Sequence, residues 1–362
     1  MTKTFNIAVF DGDGIGPEIM QPTVELLRSM AAKSGSYDFA FDNVPAGAAH
    51  YAKHGESLPS PSLAAARASD AILLSAMGLP SVRYPDGTEI SPQIEIRKEL
   101  KLYAGVRPVR IVPGQPTPLA LSGGQPVDFV LIRESTEGLF HSQGTHDVRD
   151  DKEAYETLKI TRDTSEKLFK FAFNLAQSRK DAGRGSGRVT CVDKANVFAA
   201  FAFFRKMFDE EAATHPEIAA DYAYVDATAL WMVEKPWIFD VMVTENMFGD
   251  ILSDLGAGLM GGLGLAPSAD IGDDHAVFQP CHGSAPDIAG QSIANPFAMI
   301  LSAAMMLDWL GATHSNPEMA ADGVRLREAV EAAIADRDGV TRDLGGTAST
   351  TEAAAAIAAR LT

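Results

Sequence analysis

The chain has 362 residues, enough for two ordinary domains with cores of their own. Its 46% hydrophobic and 22% charged residues mark a soluble globular protein rather than a disordered one. A formal net charge of −17, with no Lys/Arg block, argues against nucleic acid or an anionic membrane as partner.

The start, "MTKTF", runs straight into the strand-like "NIAVF" without the charged, apolar and cleavage regions of a secretory signal. A cytoplasmic setting is therefore expected. Cys191 and Cys281 lie far apart without a CxxC pair, which fits two reduced, buried thiols better than a disulfide framework or zinc ribbon. "FNIAVF" predicts a strand, and "GPEIMQPTVELLRSMAAK" a helix with Pro17 in its first turn. The intervening "DGDGIGPE" is not a dinucleotide fingerprint, because the third glycine of GxGxxG would fall at Pro17. "DAILLSAM" predicts a strand, "EIRKEL" a short helix, and "YAGVRPVRIV" and "VDFVLIRES" further strands. "DTSEKLFKFAFNLAQSRK" is an amphipathic helix stopped by "DAGRGSGR". "VTCVDKAN" and "FDVMVTEN" are strands that end in polar groups. The glycine-rich "GAGLMGGLGLAPSA" reads as a close-packed turn or loop, and "TEAAAAIAARLT" as a terminal helix. "PFAMILSAAMML" is too short and interrupted to span a bilayer. Strands and helices alternate, which predicts an α/β fold. Apolar runs repeatedly deliver a charged cluster at their C-terminal end, the edge where open α/β sheets bind ligands.

The stretch "ENMFGDILSD", Glu245 to Asp254, raises a chemical question. In a helix, Asp250 and Asp254 share one face, where like charges cost a few tenths of a kcal/mol. Ile251, Leu252 and Leu255 point elsewhere and are expected to be buried. With Asp226 in "YVDATAL", the two aspartates form a set of hard oxygen ligands suited to Mg²⁺ or Mn²⁺. Asp250 and Asp254 as ordinary helix-start residues is the alternative. Arg97, Arg107 and Arg133 stand in polar settings where a guanidinium can fork onto a carboxylate, or can serve as a plain ion pair. Lys194, in "VDKAN", follows an apolar strand and is either a proton shuttle or a solvated lysine. "CHGSAPDIAG" is a loop of small residues that backbone and ligand could approach closely.

In order along the chain, "GDGIGPE", "RKELKLYAGVRPV", "IRESTEGL", "DKANV", "TENMFGDILSDLGAGLMGGLGLAPSA", "HGSAPDIAG" and "IANPFAMILSAAMML" resemble the β-decarboxylating dehydrogenases, the isocitrate and 3-isopropylmalate dehydrogenase family. The resemblance covers nearly the whole chain. It implies a two-domain α/β fold distinct from the Rossmann fold. Residues 1–102 with 261–362 would form a cofactor-binding domain containing both termini, and 103–260 a catalytic domain that makes a homodimer. It also implies that Asp250 and Asp254 bind Mg²⁺ or Mn²⁺, with Asp226 and Lys194 reaching in from the second subunit. Lys194 and Asp226 would be the catalytic pair, and Arg97, Arg107 and Arg133 the substrate-carboxylate clamp. Asn196 resembles a residue near the nicotinamide. His282, Gly283, Asp287, Ile288 and Asn295 resemble the adenosine-binding positions, with Asp287–Ile288 similar to NAD-using members. An aspartate there would accept from ribose hydroxyls and repel a 2′-phosphate.

At one site position the sequence departs from the family pattern. Phe140 occupies the position of the tyrosine expected to protonate the enolate, and Phe has no proton to give. Protonation by Lys194, His141 or water, oxidation without decarboxylation, and a non-catalytic regulatory homologue are the three consequences; retained catalysis is the expectation. Ser91 and Gln93 match positions that face the variable substituent of the substrate. A buried amide beside an isopropyl group would lack a partner. An isocitrate-like substrate is expected over 3-isopropylmalate, with tartrate, D-malate and other substituted malates as alternatives. Glu95 and "SAMGLPSVRYPDG" match neither type of member well.

Overall fold

The computed structural model describes every residue except Met1, Ser122, Gly123, His146 and Thr362. In chain order come β1 (Lys3–Phe10), α1 (Gly16–Ser34), β2 (Tyr37–Asn43), α2 (Ala48–His54), α3 (Ser60–Ala68), β3 (Ala71–Leu74) and α4 (Pro92–Glu99). Then follow β4 (Ala104–Arg110), β5 (Asp128–Glu134), β6 (Asp147–Arg149), β7 (Glu153–Tyr155), α5 (Arg162–Asp181), β8 (Arg188–Asp193), α6 (Ala199–Ala212) and β9 (Ala219–Tyr224). The last are α7 (Val225–Glu234), β10 (Val241–Thr244), α8 (Asn246–Leu259), β11 (Pro267–Ile271), β12 (Ala276–Pro280), α9 (Phe297–Thr313), α10 (Pro317–Ala335) and α11 (Thr350–Arg360). The chain divides into two compact units. One is Met1–Leu100 with Val112–Thr117 and Met260–Thr362; the other is Lys101–Ile111 with Pro118–Leu259.

In the first unit the strands run in the order β2-β1-β3-β12-β11. They are parallel except where β11 meets β12. The "AILL" of β3 is buried at every position, as a parallel strand covered on both faces must be. α9 is apolar on nearly all sides because β11, β12 and α10 all pack on it. α1 starts with proline in its first turn and ends at Gly35, whose left-handed backbone (φ 63°) returns its N–H to the Ala31 carbonyl. A capping box between Ser349 and Glu352 starts α11.

In the second unit the order is β4-β5-β10-β8-β9, with β4 antiparallel to β5 and the remaining pairs parallel. α5 and α6 close over it with Phe169, Phe173, Phe204 and Phe208, all buried and ring against ring. β6 and β7 form a separate antiparallel pair. α8 lies on β5. Gly249 makes that approach possible: a Cβ there would stand 2.6 Å from Arg133 Cβ and Cγ.

Two sequence expectations change here. Leu252 is buried, but Ile251 is 62% exposed and shares its stripe of α8 with the exposed Met247. Periodicity assigns a residue to a face without saying what covers that face. The first part of "GAGLMGGLGLAPSA" is the last turn of α8 and not a loop. Glycine stands at position 256 because this turn presses on Val109, where a Cβ would come within 2.7 Å. No helix among the described residues is long and apolar enough to cross a membrane.

Candidate active site

The polar groups of the second unit gather where its parallel strands end. β5 ends in Arg133 and Glu134, β8 in Asp193 just before Lys194, and β10 runs through Glu245 into α8. Arg133 is 5% exposed. Its Nε and Nη2 donate to Asn246 Oδ1 at 3.1 and 2.7 Å, and its Nη1 donates to Asp250. Asn246 Nδ2 in turn donates to the Glu137 carbonyl at 3.1 Å. Glu134 accepts from the Thr136 and Glu137 N–H groups at 2.6 and 2.8 Å. Burial pushes the Glu134 carboxyl above the usual range, against those hydrogen bonds. Arg107 is equally buried and donates to the Val106 carbonyl at 3.2 Å.

Asp250 and Asp254 stand one turn apart on α8, as the spacing predicts. Partial burial first, and the Asp250 carboxylate second, hold the Asp254 carboxyl above the usual range; the Arg133 and Arg107 guanidiniums oppose the shift. A hard divalent cation fits this pair, since it would relieve that repulsion with oxygen ligands it prefers. Asp226 is placed elsewhere. It sits in the first turn of α7 and accepts from Lys194 Nζ at 2.7 Å. That hydrogen bond holds the Asp226 carboxyl below the usual range. Among the described residues no three His, Cys, Asp or Glu side chains form a metal-binding group, so Asp226 does not join Asp250 and Asp254 within one chain. Asn196 lies exposed in the turn after Lys194.

The remaining candidates belong to the first unit. Arg97, on α4, is 9% exposed, and its Nε donates to the buried Asp270 at 2.9 Å; Gln279 donates to the same oxygen at 2.7 Å. Ser91 is the residue before α4, and its hydroxyl donates to the Glu89 carbonyl at 3.4 Å. One turn before Arg97, the Gln93 Oε1 is buried and finds no hydrogen-bond partner among the described residues. In "CHGSAPDIAG", His282 Nδ1 lies 2.9 Å from the Gly283 carbonyl, while its Nε2 is buried without a partner among the described residues. Burial lowers the imidazole pKa, so a neutral ring is favoured. A neutral ring with one ring nitrogen unpaired suits a heteroaromatic or hydroxyl-bearing ligand such as an adenosine group. Gly283 and Asp287 are exposed and Ile288 half-buried. Asn295 is buried and held on both sides, donating to Asp343 and accepting from the Phe297 N–H, each at 2.9 Å.

Sequence reasoning missed the residues that hold the arginines, Asn246 and Asp270. Glu245 was also missed: it is 2% exposed and accepts from the Phe248 N–H at 2.8 Å, capping the start of α8. Asp270 had no signal, because its partner arrives from a distant segment.

The sequence model of isocitrate/isopropylmalate dehydrogenases matches residues 6–357. A 3-isopropylmalate/3-methylmalate dehydrogenase of Methanocaldococcus jannaschii is 41% identical over 357 residues, covering 98% of each chain. A 3-isopropylmalate dehydrogenase of Streptococcus pneumoniae is 40% identical, covering 98% of this chain and 99% of the relative. The crystal structure of isocitrate dehydrogenase from Methylococcus capsulatus superposes with a TM-score of 0.83 at 36% identity, covering 100% of this chain and 99% of that one. The chain therefore belongs to the isocitrate/isopropylmalate dehydrogenase family.

Proposed function

We propose that the protein oxidises and decarboxylates a 3-carboxy-2-hydroxy acid, using NAD and Mg²⁺ or Mn²⁺, as a homodimer. The observation that carries this reading is the α8 face, where Asp250 and Asp254 stand one turn apart and the buried Arg133 donates to Asp250. Such a face suits a cation and an anionic substrate together. Asp250 and Asp254 would hold the cation, with Asp226 of the second copy. Asn196, His282, Gly283, Asp287, Ile288 and Asn295 would hold NAD, and an acidic Asp287 favours NAD over NADP. When bound, NAD supplies the hydride acceptor for C2 and the cation supplies positive charge at the 2-oxygen.

The chain's own residues account for the other steps. Arg97, Arg107 and Arg133 bind the substrate carboxylates and fix the C2–H bond's direction. The Lys194–Asp226 pair takes the hydroxyl proton, directly or through water. As the C3–carboxylate bond breaks, its electrons pass to the C2 ketone, and the guanidiniums stabilise the enolate. A proton must return to C3, and Phe140 cannot give it; Lys194, His141 or water takes that place. The homodimer reading is supported by exposed apolar side chains of the second unit, among them Tyr222, Leu230, Val233, Met247 and Ile251. The 103–260 segment would form that interface, and residues 1–102 with 261–362 the NAD-binding domain.

For the substituent at C3 we favour a polar group. An isopropyl group beside the unpartnered Gln93 Oε1 would leave it unsatisfied, at about 1–3 kcal/mol. Isocitrate-like and tartrate- or D-malate-like acids meet this condition better than 3-isopropylmalate.

The test is a turnover screen of the purified protein with NAD and Mn²⁺ on isocitrate, 3-isopropylmalate, D-malate, tartrates and other 3-substituted malates, recording NADH and CO₂ separately. Equal NADH and CO₂ on a polar acid is expected. NADH without CO₂ would mean that Phe140 marks oxidation alone. No product with any acid would point to a regulatory homologue and overturn the catalytic reading. Preference for 3-isopropylmalate would overturn the Gln93 argument.

A further inference from the structure

Gly78 is held at both ends by residues from other segments of the first unit. Its N–H donates to Asp13 Oδ2 at 2.8 Å, and its carbonyl accepts the hydroxyl of Ser284. Its backbone is left-handed, φ +103°, a conformation glycine adopts without strain. Both clamping residues are buried, Asp13 at 2% and Ser284 at 6% exposure. Neither has freedom of its own. Asp13 also accepts from the Ala48 and Ala49 N–H groups at 2.8 Å, which fixes it to the start of α2. The Ser284 carbonyl accepts from the Ile15 N–H at 2.9 Å.

What these bonds join is functional on the reading above. Ser284 lies in "HGSAPDIAG", between His282 and Asp287. Gly78 opens the segment leading to Ser91, Gln93 and Arg97. That segment is folded on itself by bridges from Leu79 to Val82 and from Arg83 to Glu89, so a displacement at Gly78 is not absorbed by slack chain. We propose that the Ser284 hydroxyl couples the cofactor loop to the substrate-recognition segment through the Gly78 peptide. Occupation of the loop then orders residues 78–97 before the hydroxy acid arrives. Ser284 is a positioning residue in this scheme, and the proposal rests on assigning 282–290 to NAD. Its physical basis is a shared contact with few alternatives, in which tightening one loop restricts the other.

Hydrogen exchange read by mass spectrometry, with NAD alone as the probe, tests this on the full chain. In the wild type NAD should slow exchange in both 282–290 and 76–97. In Ser284→Ala it should still slow 282–290, while the protection it gives 76–97 should fall by about 2- to 10-fold, the equilibrium worth of one hydrogen bond. If Ser284→Ala does not fold, Ser284→Cys, close in volume and a weak donor, takes its place with the same expectation. Protection of 76–97 as strong in the variant as in the wild type would overturn the role of the hydroxyl. Protection of 282–290 alone in the wild type would overturn the coupling and leave the cofactor assignment standing. Protection of neither would remove the cofactor assignment and the proposal with it.

Discussion

Gly249→Ala probes how α8 sets the position of Arg133. The new methyl would stand 2.6 Å from Arg133 Cβ and Cγ, whereas ordinary contact begins at 3.4 Å. The helix or the arginine must therefore yield by about 0.8 Å, the difference between those distances. Overpacking of this kind costs about 1–3 kcal/mol. Alanine returns about 0.8–1 kcal/mol as a better helix former. The net loss of stability is then about 0–2 kcal/mol, a few degrees in melting temperature. The loss of activity should be larger, because a 1 Å misplacement of a binding group can cost on the order of 100-fold. The assay pairs thermal melting with kcat/KM for NADH formation on the wild type's best acid. A variant that melts higher than wild type and keeps kcat/KM within about twofold would refute the argument that this contact positions the arginine.

Asn246→Ala removes both acceptor contacts to Arg133 and should lower stability in urea by about 1.5–3 kcal/mol, as for hydrogen bonds to a buried charge; a loss under about 0.5 kcal/mol would mean that Arg133 is held by other groups. Lys194→Met should let the Asp226 carboxyl titrate at higher pH, because its lowered value comes first from the Lys194 hydrogen bond; an unchanged Asp226 midpoint by carbon NMR would show that the pair does not form in solution. His282 has a folded-state pKa below its ordinary 6.5. The unfolded chain then binds the proton more readily, so the contribution of this group to stability is complete above 6.5 and is lost as pH falls below it. His282→Gln should flatten that part of the stability–pH curve in urea titrations, and an unchanged slope would falsify the assignment.

Much of this architecture was legible because it is local. Strand ends that carry Arg133, Lys194 and Glu245 are visible as apolar runs followed by charge, and α8 as a helix with two aspartates one turn apart. Ile251 was misread because a 3.6-residue period locates a stripe without naming its cover. The helical Gly256 was misread because its reason is Val109, on a strand far back in the chain. The partners of the arginines were illegible for the same cause: Arg97 and Asp270 lie 173 positions apart. Gln93 was legible only as an amide in an unusual place. That its oxygen is shut away without a partner is a property of packing, which no spacing encodes.

The first unit is threaded from three separate stretches of chain, and this has a consequence for how it is made. In β3, Ile72 lies beside Val277 of β12, and the Tyr37 hydroxyl closes on Asp322, 285 positions later. At about 5–20 residues per second, a ribosome spends roughly 10–40 s between making β3 and making its neighbour β12. During that interval β3 has an open side that is apolar at every residue. Such an edge is a template for pairing with another nascent copy. Protein yield in the cell should then depend on translation speed and chaperone supply more than the finished molecule's stability would suggest.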